Sequence, residues 1–290
     1  MVQAVDPQTP GTHLQVGGIT LHCIEAGPKD GPLVILLHGF PEFWWAWRYQ
    51  IEPLSRAGYR VLVPDQRGYN LSDKPEGRGA YDLDTLARDI VGLSDALGYG
   101  ACSLVGHDWG GLAAWWAASR HPDRIERLVA INAPHPAIAG AYMRRHPTQI
   151  LRSSYIGFFQ LPYLPEALFS AGEYQTLKRA LRRTSRTGTF SEQDLAEYER
   201  AWSRPGALTG MLNWYRALPL RPPHHPSGKL TMPVLAIWGM QDRFLEFGLC
   251  KESLALCAQG RAMPLQQATH WVHLEEAERV NRALLDFLKT

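Results

Sequence analysis

The sequence predicts an α/β fold, a mostly parallel sheet with helices on both faces, interrupted once by a helical insertion. Three observations predict it. Short apolar and β-branched runs bounded by Gly, Pro and Asp recur at 20–25, 33–37, 60–64, 102–106, 127–132, 233–238 and 261–265. Several are apolar almost throughout, as in LVILL (Leu33 to Leu37) and VLAIW (Val234 to Trp238), which suits strands covered on both faces. Helical periodicity lies between them, so strand and helix alternate.

Taken in order, the strand at 33–37 ends in a sharp His38, Gly39, Phe40, Pro41 turn, and the strand at 60–64 ends at Pro64. Leu83, Leu86, Ala87, Ile90, Val91, Leu93 and Leu97 then recur at helical spacing behind an N-cap at Asp82. The strand CSLVG ends at Gly106 and an alanine-rich helical run carries the chain to about His121. After the strand at 127–132 the alternation breaks. From Pro134 to Gly228 the chain reads as helical pieces, among them Gln175 to Arg186 and Glu192 to Ser203, separated by Pro and Gly. RPPHHPSGK, Arg221 to Lys229, is the expected hinge back to the core, since its prolines and glycine forbid regular structure. Strands at 233–238 and 261–265 and a final helix from Leu274 to Leu288 complete the pattern. The expected division is thus core at 1–133, insertion at 134–228 and core again at 229–290.

Composition narrows the function. Of 290 residues, 45% are hydrophobic and 20% charged, and 30 basic against 28 acidic side chains leave a formal charge of +2. That excludes disorder and gives no electrostatic footprint for nucleic acid. The first dozen residues lack the basic start and apolar core of a signal peptide, and no apolar run approaches the about 18 residues of a membrane span. The expected compartment is the cytoplasm. Four cysteines are scattered without metal-ligand spacing and read as reduced, structural thiols. Basic residues crowd the insertion, from Arg144 to Arg186, and read as solvated helix faces or, less simply, as a surface for an anionic ligand. Ten tryptophans are more than such a core usually holds.

The chemistry centres on Gly106, His107, Asp108, Trp109, Gly110, Gly111, between a strand and a helix. This is a nucleophile elbow with Asp108 where many such elbows carry Ser. Flanking glycines let a side chain sit at the tip of a tight turn, and the helix N-terminus favours its negative charge. Alone, the pattern also fits an Asp that merely caps the helix. Two further segments answer it. Asp242 follows the strand VLAIWG, and His270 follows the last strand, giving the order nucleophile, acid, histidine at three strand ends. His270 is preferred over His273 because it directly follows the strand. The turn after Leu37 supplies the Phe40 N–H, and the helix start the Trp109 N–H, to an oxyanion hole, and Pro41 is a candidate for a cis bond. Asp65 and Arg67 read as pins between loops.

HGFPEFWWAWRYQ, DQRGYNLSDKP, GHDWGG, the Asp242 segment and ATHWVHLEEAERVN together resemble the epoxide hydrolases of the α/β-hydrolase fold, from about His13 to the C-terminus. The resemblance implies an eight-stranded, mostly parallel sheet and makes the insertion a lid. It also implies two lid tyrosines that hydrogen-bond the epoxide oxygen. Tyr155 in SYIGFFQLP and Tyr215 in LNWYRAL match them. The reaction implied is epoxide plus water to vicinal diol, through an ester on Asp108 that water, activated by His270 and Asp242, then breaks. No cofactor or metal is expected, and the expected partners are a small apolar epoxide and water.

A haloalkane or haloacid dehalogenase with the same aspartate is the nearest alternative. Phe40 stands where haloalkane dehalogenases often carry Asn, and Trp109 and Leu112 stand where fluoroacetate dehalogenases carry arginines. A non-catalytic protein on the same scaffold is the alternative from another class. Asn132, after the preceding strand, cannot ionise and so leaves Asp242 as the acid. Phe158, Phe159, Leu161, Leu168 and Leu212 suggest an apolar pocket, with Trp109, Phe159 and Trp214 as substrate contacts and the motif tryptophans as pocket wall. The substrate, its handedness and the oligomeric state, a homodimer among the options, are left open.

Overall fold

The computed structural model describes residues 3–223 and 228–289. One sheet holds β1 (Thr12–Val16), β2 (Ile19–Ala26), β3 (Leu33–Leu37), β4 (Arg60–Pro64), β5 (Cys102–His107), β6 (Ile125–Ile131), β7 (Val234–Gly239) and β8 (Gly260–Leu265). Their spatial order is β1-β2-β4-β3-β5-β6-β7-β8. From β4 to β8 every pairing is parallel, and only β1 with β2 and β2 with β4 run antiparallel. The expected mostly parallel, eight-stranded sheet is therefore present, with strand bounds within two residues of those read from the sequence.

The strand that sequence reasoning missed is β1. Its sequence THLQV buries only Val16 fully, because it is an edge strand with its other residues turned partly to water. By contrast β3 and β5, at the centre, are buried along their whole length. The helix Leu83–Ala96 begins at Asp82, whose carboxylate accepts the Thr85 N–H at 2.9 Å. The expected last helix is two, Val272–Glu275 and Ala277–Lys289. The break falls where Arg186 reaches in, donating to the Glu275 carbonyl and to Glu276 at 2.8 Å.

Between β6 and β7 the chain forms helices Pro136–Arg145, Pro147–Arg152, Tyr155–Phe159, Leu164–Thr184, Glu192–Trp202 and Ala207–Ala217. Ala171–Tyr174 interrupt Leu164–Thr184, with Gly172, Glu173 and Tyr174 at φ of 56°, 57° and 60°. Four residues of the expected hinge, 224–227, lie outside the described residues. Indole N–H groups tie the insertion to the core: Trp202 donates to Pro41 O at 2.6 Å, Trp214 to Arg67 O at 2.9 Å and the core's Trp271 to Thr184 Oγ1 at 3.1 Å. Buried Arg48 reaches Asp194 of the insertion at 3.2 Å. Several of the insertion's basic residues are likewise paired, Lys178 with Glu199, Arg145 with Glu252 and Arg182 with Glu192, which accounts for much of the basic bias. Cys23, Cys102, Cys250 and Cys257 are buried free thiols. Among the described residues no helix is long and apolar enough to cross a membrane.

Candidate active site

The carboxyl ends of β3, β5, β6, β7 and β8 bring the expected residues to one edge of the sheet. Asp108 opens the helix Asp108–Arg120 directly after β5 with φ of +49°, a backbone region that side chains other than Gly rarely adopt. What permits this turn is close packing. A Cβ on Gly106 would lie 2.4 Å from Gly110 O, and one on Gly39 would lie 2.6 Å from the Asp108 Cβ. Gly39 thereby lets the following Phe40 N–H reach Asp108 Oδ1 at 3.0 Å. The Phe40–Pro41 bond is cis. The second expected donor, the Trp109 N–H, sits one residue on in the first helical turn.

Asp108 Oδ2 lies 3.5 Å from His270 Nε2, and His270 Nδ1 lies 2.8 Å from Asp242 Oδ2. The three side chains thus form one line, with His270 and Asp242 buried and Asp108 partly open to the cavity. Asp242 is held on four sides: Oδ1 accepts Phe244 N–H at 2.7 Å and Leu245 N–H at 3.0 Å, and Oδ2 also accepts Asn132 Nδ2–H at 2.5 Å. Asn132, excluded as an acid in the sequence, turns out to steady the acid; its Oδ1 accepts Gly239 N–H at 2.9 Å. Burial works to raise the Asp108 carboxyl, but the hydrogen bond and charge of His270, with the Phe40 N–H, hold it below the usual range. Burial likewise opposes charge on His270, yet Asp242 and Asp108 outweigh it and raise the imidazole to about 10.

Tyr155 and Tyr215 reach the same place from the insertion. Both line a cavity of about 330 Å³ with Asp108, Phe40, Phe244, His270 and Trp271. Burial, with the charges of Asp108 and Asp242, pushes the Tyr155 hydroxyl well up, and burial does the same to Tyr215, so both stay protonated donors at neutral pH. The rest of this cavity is apolar, from Phe158, Phe159, Leu168, Phe169, Leu177 and Leu181. A second space of about 110 Å³ opens on the other side of Asp108, Tyr155 and Tyr215, lined by Trp109, Leu112, Gln149, Ser153 and Leu245 among others.

Phe158, Phe159 and Leu168 stand where the sequence placed them, and Trp109 borders the smaller space. Leu161, Leu212 and Trp214 line neither space. Trp214 is buried, its indole edge-on to Trp109 and its N–H committed to Arg67 O. The tryptophan excess is thus mostly core and tie: Trp47, Trp115, Trp202, Trp214 and Trp238 are fully buried, and of the tryptophans Trp271 and Trp109 alone border the two spaces beside Asp108. The wall residues Phe169, Leu177, Leu181 and Phe244 were missed because an apolar residue in a helix or loop looks the same whether it faces a core or a cavity.

Behind Asp108, Glu42 joins His107 Nδ1 at 2.7 Å and His273 Nε2 at 3.2 Å, all fully buried. Three ligand atoms of this cluster fall within 4.8 Å of one another. They are already hydrogen-bonded together, however, and Glu42 Oε2 also takes the Gly39 N–H at 2.9 Å. Burial alone would raise the Glu42 carboxyl, but the two histidines hold it well below the usual range. His273 belongs to this cluster and not to the Asp108 line. Arg67 clasps Asp89 with two bonds of 2.7 Å, and Asp65 holds His22, Asn70 and the Trp44 N–H, the loop pins expected of them.

Comparison with known proteins gives the family. The α/β-hydrolase-fold family model matches residues 32–277. The chain is 48% identical to the AB hydrolase superfamily protein YfhM of Bacillus subtilis (strain 168), over 95% of this chain and 96% of that protein. It is 40% identical to Epoxide hydrolase 4 of Homo sapiens, over 96% of this chain and 79% of that protein. A solved mutant of an epoxide hydrolase from Bacillus megaterium, complexed with its naphthyloxy-substituted propanediol product, superposes with a TM-score of 0.87 at 31% identity, covering 96% of this chain and 100% of that one. The chain belongs to the epoxide hydrolase branch of the α/β-hydrolase-fold family.

Proposed function

We propose that the protein hydrolyses apolar epoxides to vicinal diols through an ester on Asp108. The observation that carries this reading is that one cavity is lined at once by a carboxylate, an imidazole backed by a second carboxylate, and two protonated tyrosines. A carboxylate is a poor attacker of esters and amides but a competent one at a polarised sp3 carbon. Oδ2 of Asp108, free of a short hydrogen bond, attacks a ring carbon while Tyr155 and Tyr215 donate to the ring oxygen. The C–O bond breaks, its electron pair goes to that oxygen, and a proton from the tyrosine pair leaves a hydroxyalkyl ester.

Alkylation makes Asp108 neutral, so His270 loses one of the two charges that held its proton, gives that proton back to the tyrosine pair directly or through solvent, and becomes a base. It takes a proton from water as that water attacks the Asp108 carbonyl carbon. Oδ1, already facing the Phe40 N–H, carries the tetrahedral charge there and towards the Trp109 N–H. Collapse sends the remaining water proton to the leaving alkoxide, which frees the diol and restores the carboxylate, and His270 is left protonated as at the start. The two lid-covered spaces suit an epoxide with one large apolar substituent. The test is turnover of terminal, aryl and fatty epoxides beside haloalkanes and haloacids, with Asp108→Ala as control. Diol release that the control lacks supports the reading; halide release without diol would replace it with dehalogenation.

A further inference from the structure

The Asp242 carboxylate can be aimed no better than the loop that carries it. Residues 242–246 have no regular structure before the helix Phe247–Leu254 begins. The core steadies this loop through Asn132, but its outer side is gripped by the insertion, from the helix Pro147–Arg152. Gln149, 1% exposed, donates from Nε2 to Phe244 O at 2.7 Å and accepts the Glu246 N–H on Oε1 at 2.9 Å. Arg152 donates from Nη1 to the Asp242 carbonyl at 2.7 Å, and its Nε lies 3.7 Å from Glu246. Both ends of the loop are therefore fixed by one short helix of the insertion.

The loop in turn touches the reacting groups. Phe244 and Leu245 turn their N–H groups onto Asp242 Oδ1 only while the loop keeps this shape. The Phe244 ring stands against His270, with centroids 5.0 Å apart, and against Tyr155 at 5.8 Å. Gln149 also borders the smaller cavity. We propose that Gln149 and Arg152 are positioning residues for ester hydrolysis, holding the acid loop from the lid side so that Asp242 and His270 are aligned only when this part of the lid is seated. This rests on Asp242 and His270 acting as acid and base on an Asp108 ester.

Rapid mixing of an epoxide with wild type, Arg152→Leu, Arg152→Lys and Gln149→Met separates ester formation from ester breakdown. The Arg152 side chain is 39% exposed, so its replacement leaves the core packing untouched. In Arg152→Leu and Gln149→Met, ester formation should keep its wild-type rate while breakdown slows about tenfold. With breakdown limiting, kcat and KM then fall together and kcat/KM holds. Arg152→Lys, which keeps a donor, should recover most of the breakdown rate. Breakdown within about twofold of wild type in Arg152→Leu, or an equal loss in both steps, overturns the proposal; if Gln149→Met does not fold, the Arg152 pair decides. A wild type that forms no ester at all refutes the underlying reading instead.

Discussion

His270 should change its proton affinity sharply when Asp108 loses its charge, and Asp108→Asn is the perturbation that isolates this. In the wild type both carboxylates face the imidazole, which stays protonated up to about pH 10. Two unit charges 3.5 Å apart interact by about 5 kcal/mol at an effective dielectric near 20. That amounts to about three and a half pKa units, so in Asp108→Asn the His270 midpoint should fall to about 6.5. Nitrogen-15 NMR of the imidazole, read against pH, follows both proteins directly. The wild-type pair also stabilises the fold fully below the ordinary pKa of 6.5 and loses that contribution as pH rises through about 10, because the folded value is the higher one. A midpoint that stays near 10 in the variant would refute the reasoning, since alkylation of Asp108 could then not release His270 as a base.

Tyr155→Phe or Tyr215→Phe should each slow ester formation by about two orders of magnitude while leaving breakdown of a preformed ester unchanged, as pre-steady-state kinetics would show. Gly39→Ala should cost at least about a hundredfold in kcat with the fold intact by circular dichroism, because the new Cβ displaces Asp108 and the Phe40 N–H together; near-normal turnover would contradict that. Trp214→Phe leaves the Arg67 carbonyl without its partner and should lower stability by about 1–3 kcal/mol in thermal melts, with KM unaltered because Trp214 lines neither cavity.

The sheet was legible because its central strands are buried on both faces and so are apolar at every position. β1 was not, because an edge strand exposed on one side carries polar residues that erase the signal. At the site, Asp108, Asp242 and His270 could be found by local pattern: glycines around a strand-to-helix turn and polar residues immediately after strand ends. The tyrosines needed the family resemblance, since nothing in the neighbourhood of a buried tyrosine separates packing from catalysis. Gln149 and Arg152 left no local trace, and Asn132, though noticeable at a strand end, gave no sign of its bond to the acid. Asn132 and Arg152 bond Asp242, and Gln149 bonds Phe244 on the same loop, from about 90 to 110 positions away in the chain, through hydrogen bonds that only the folded arrangement creates. The same holds for the tryptophans. Their placement in motif segments suggested a pocket wall, but an indole N–H bound to a distant carbonyl is a property of how the insertion packs on the core.

The covalent ester on Asp108 is the central claim, and a single turnover in heavy-oxygen water tests it most directly. With enzyme in excess over epoxide, mass spectrometry of the peptide bearing Asp108 should find the heavy oxygen in its carboxylate and none in the first diol released. Heavy oxygen in that diol, with an unlabelled Asp108, would mean that water attacks the epoxide directly and that the ester does not form.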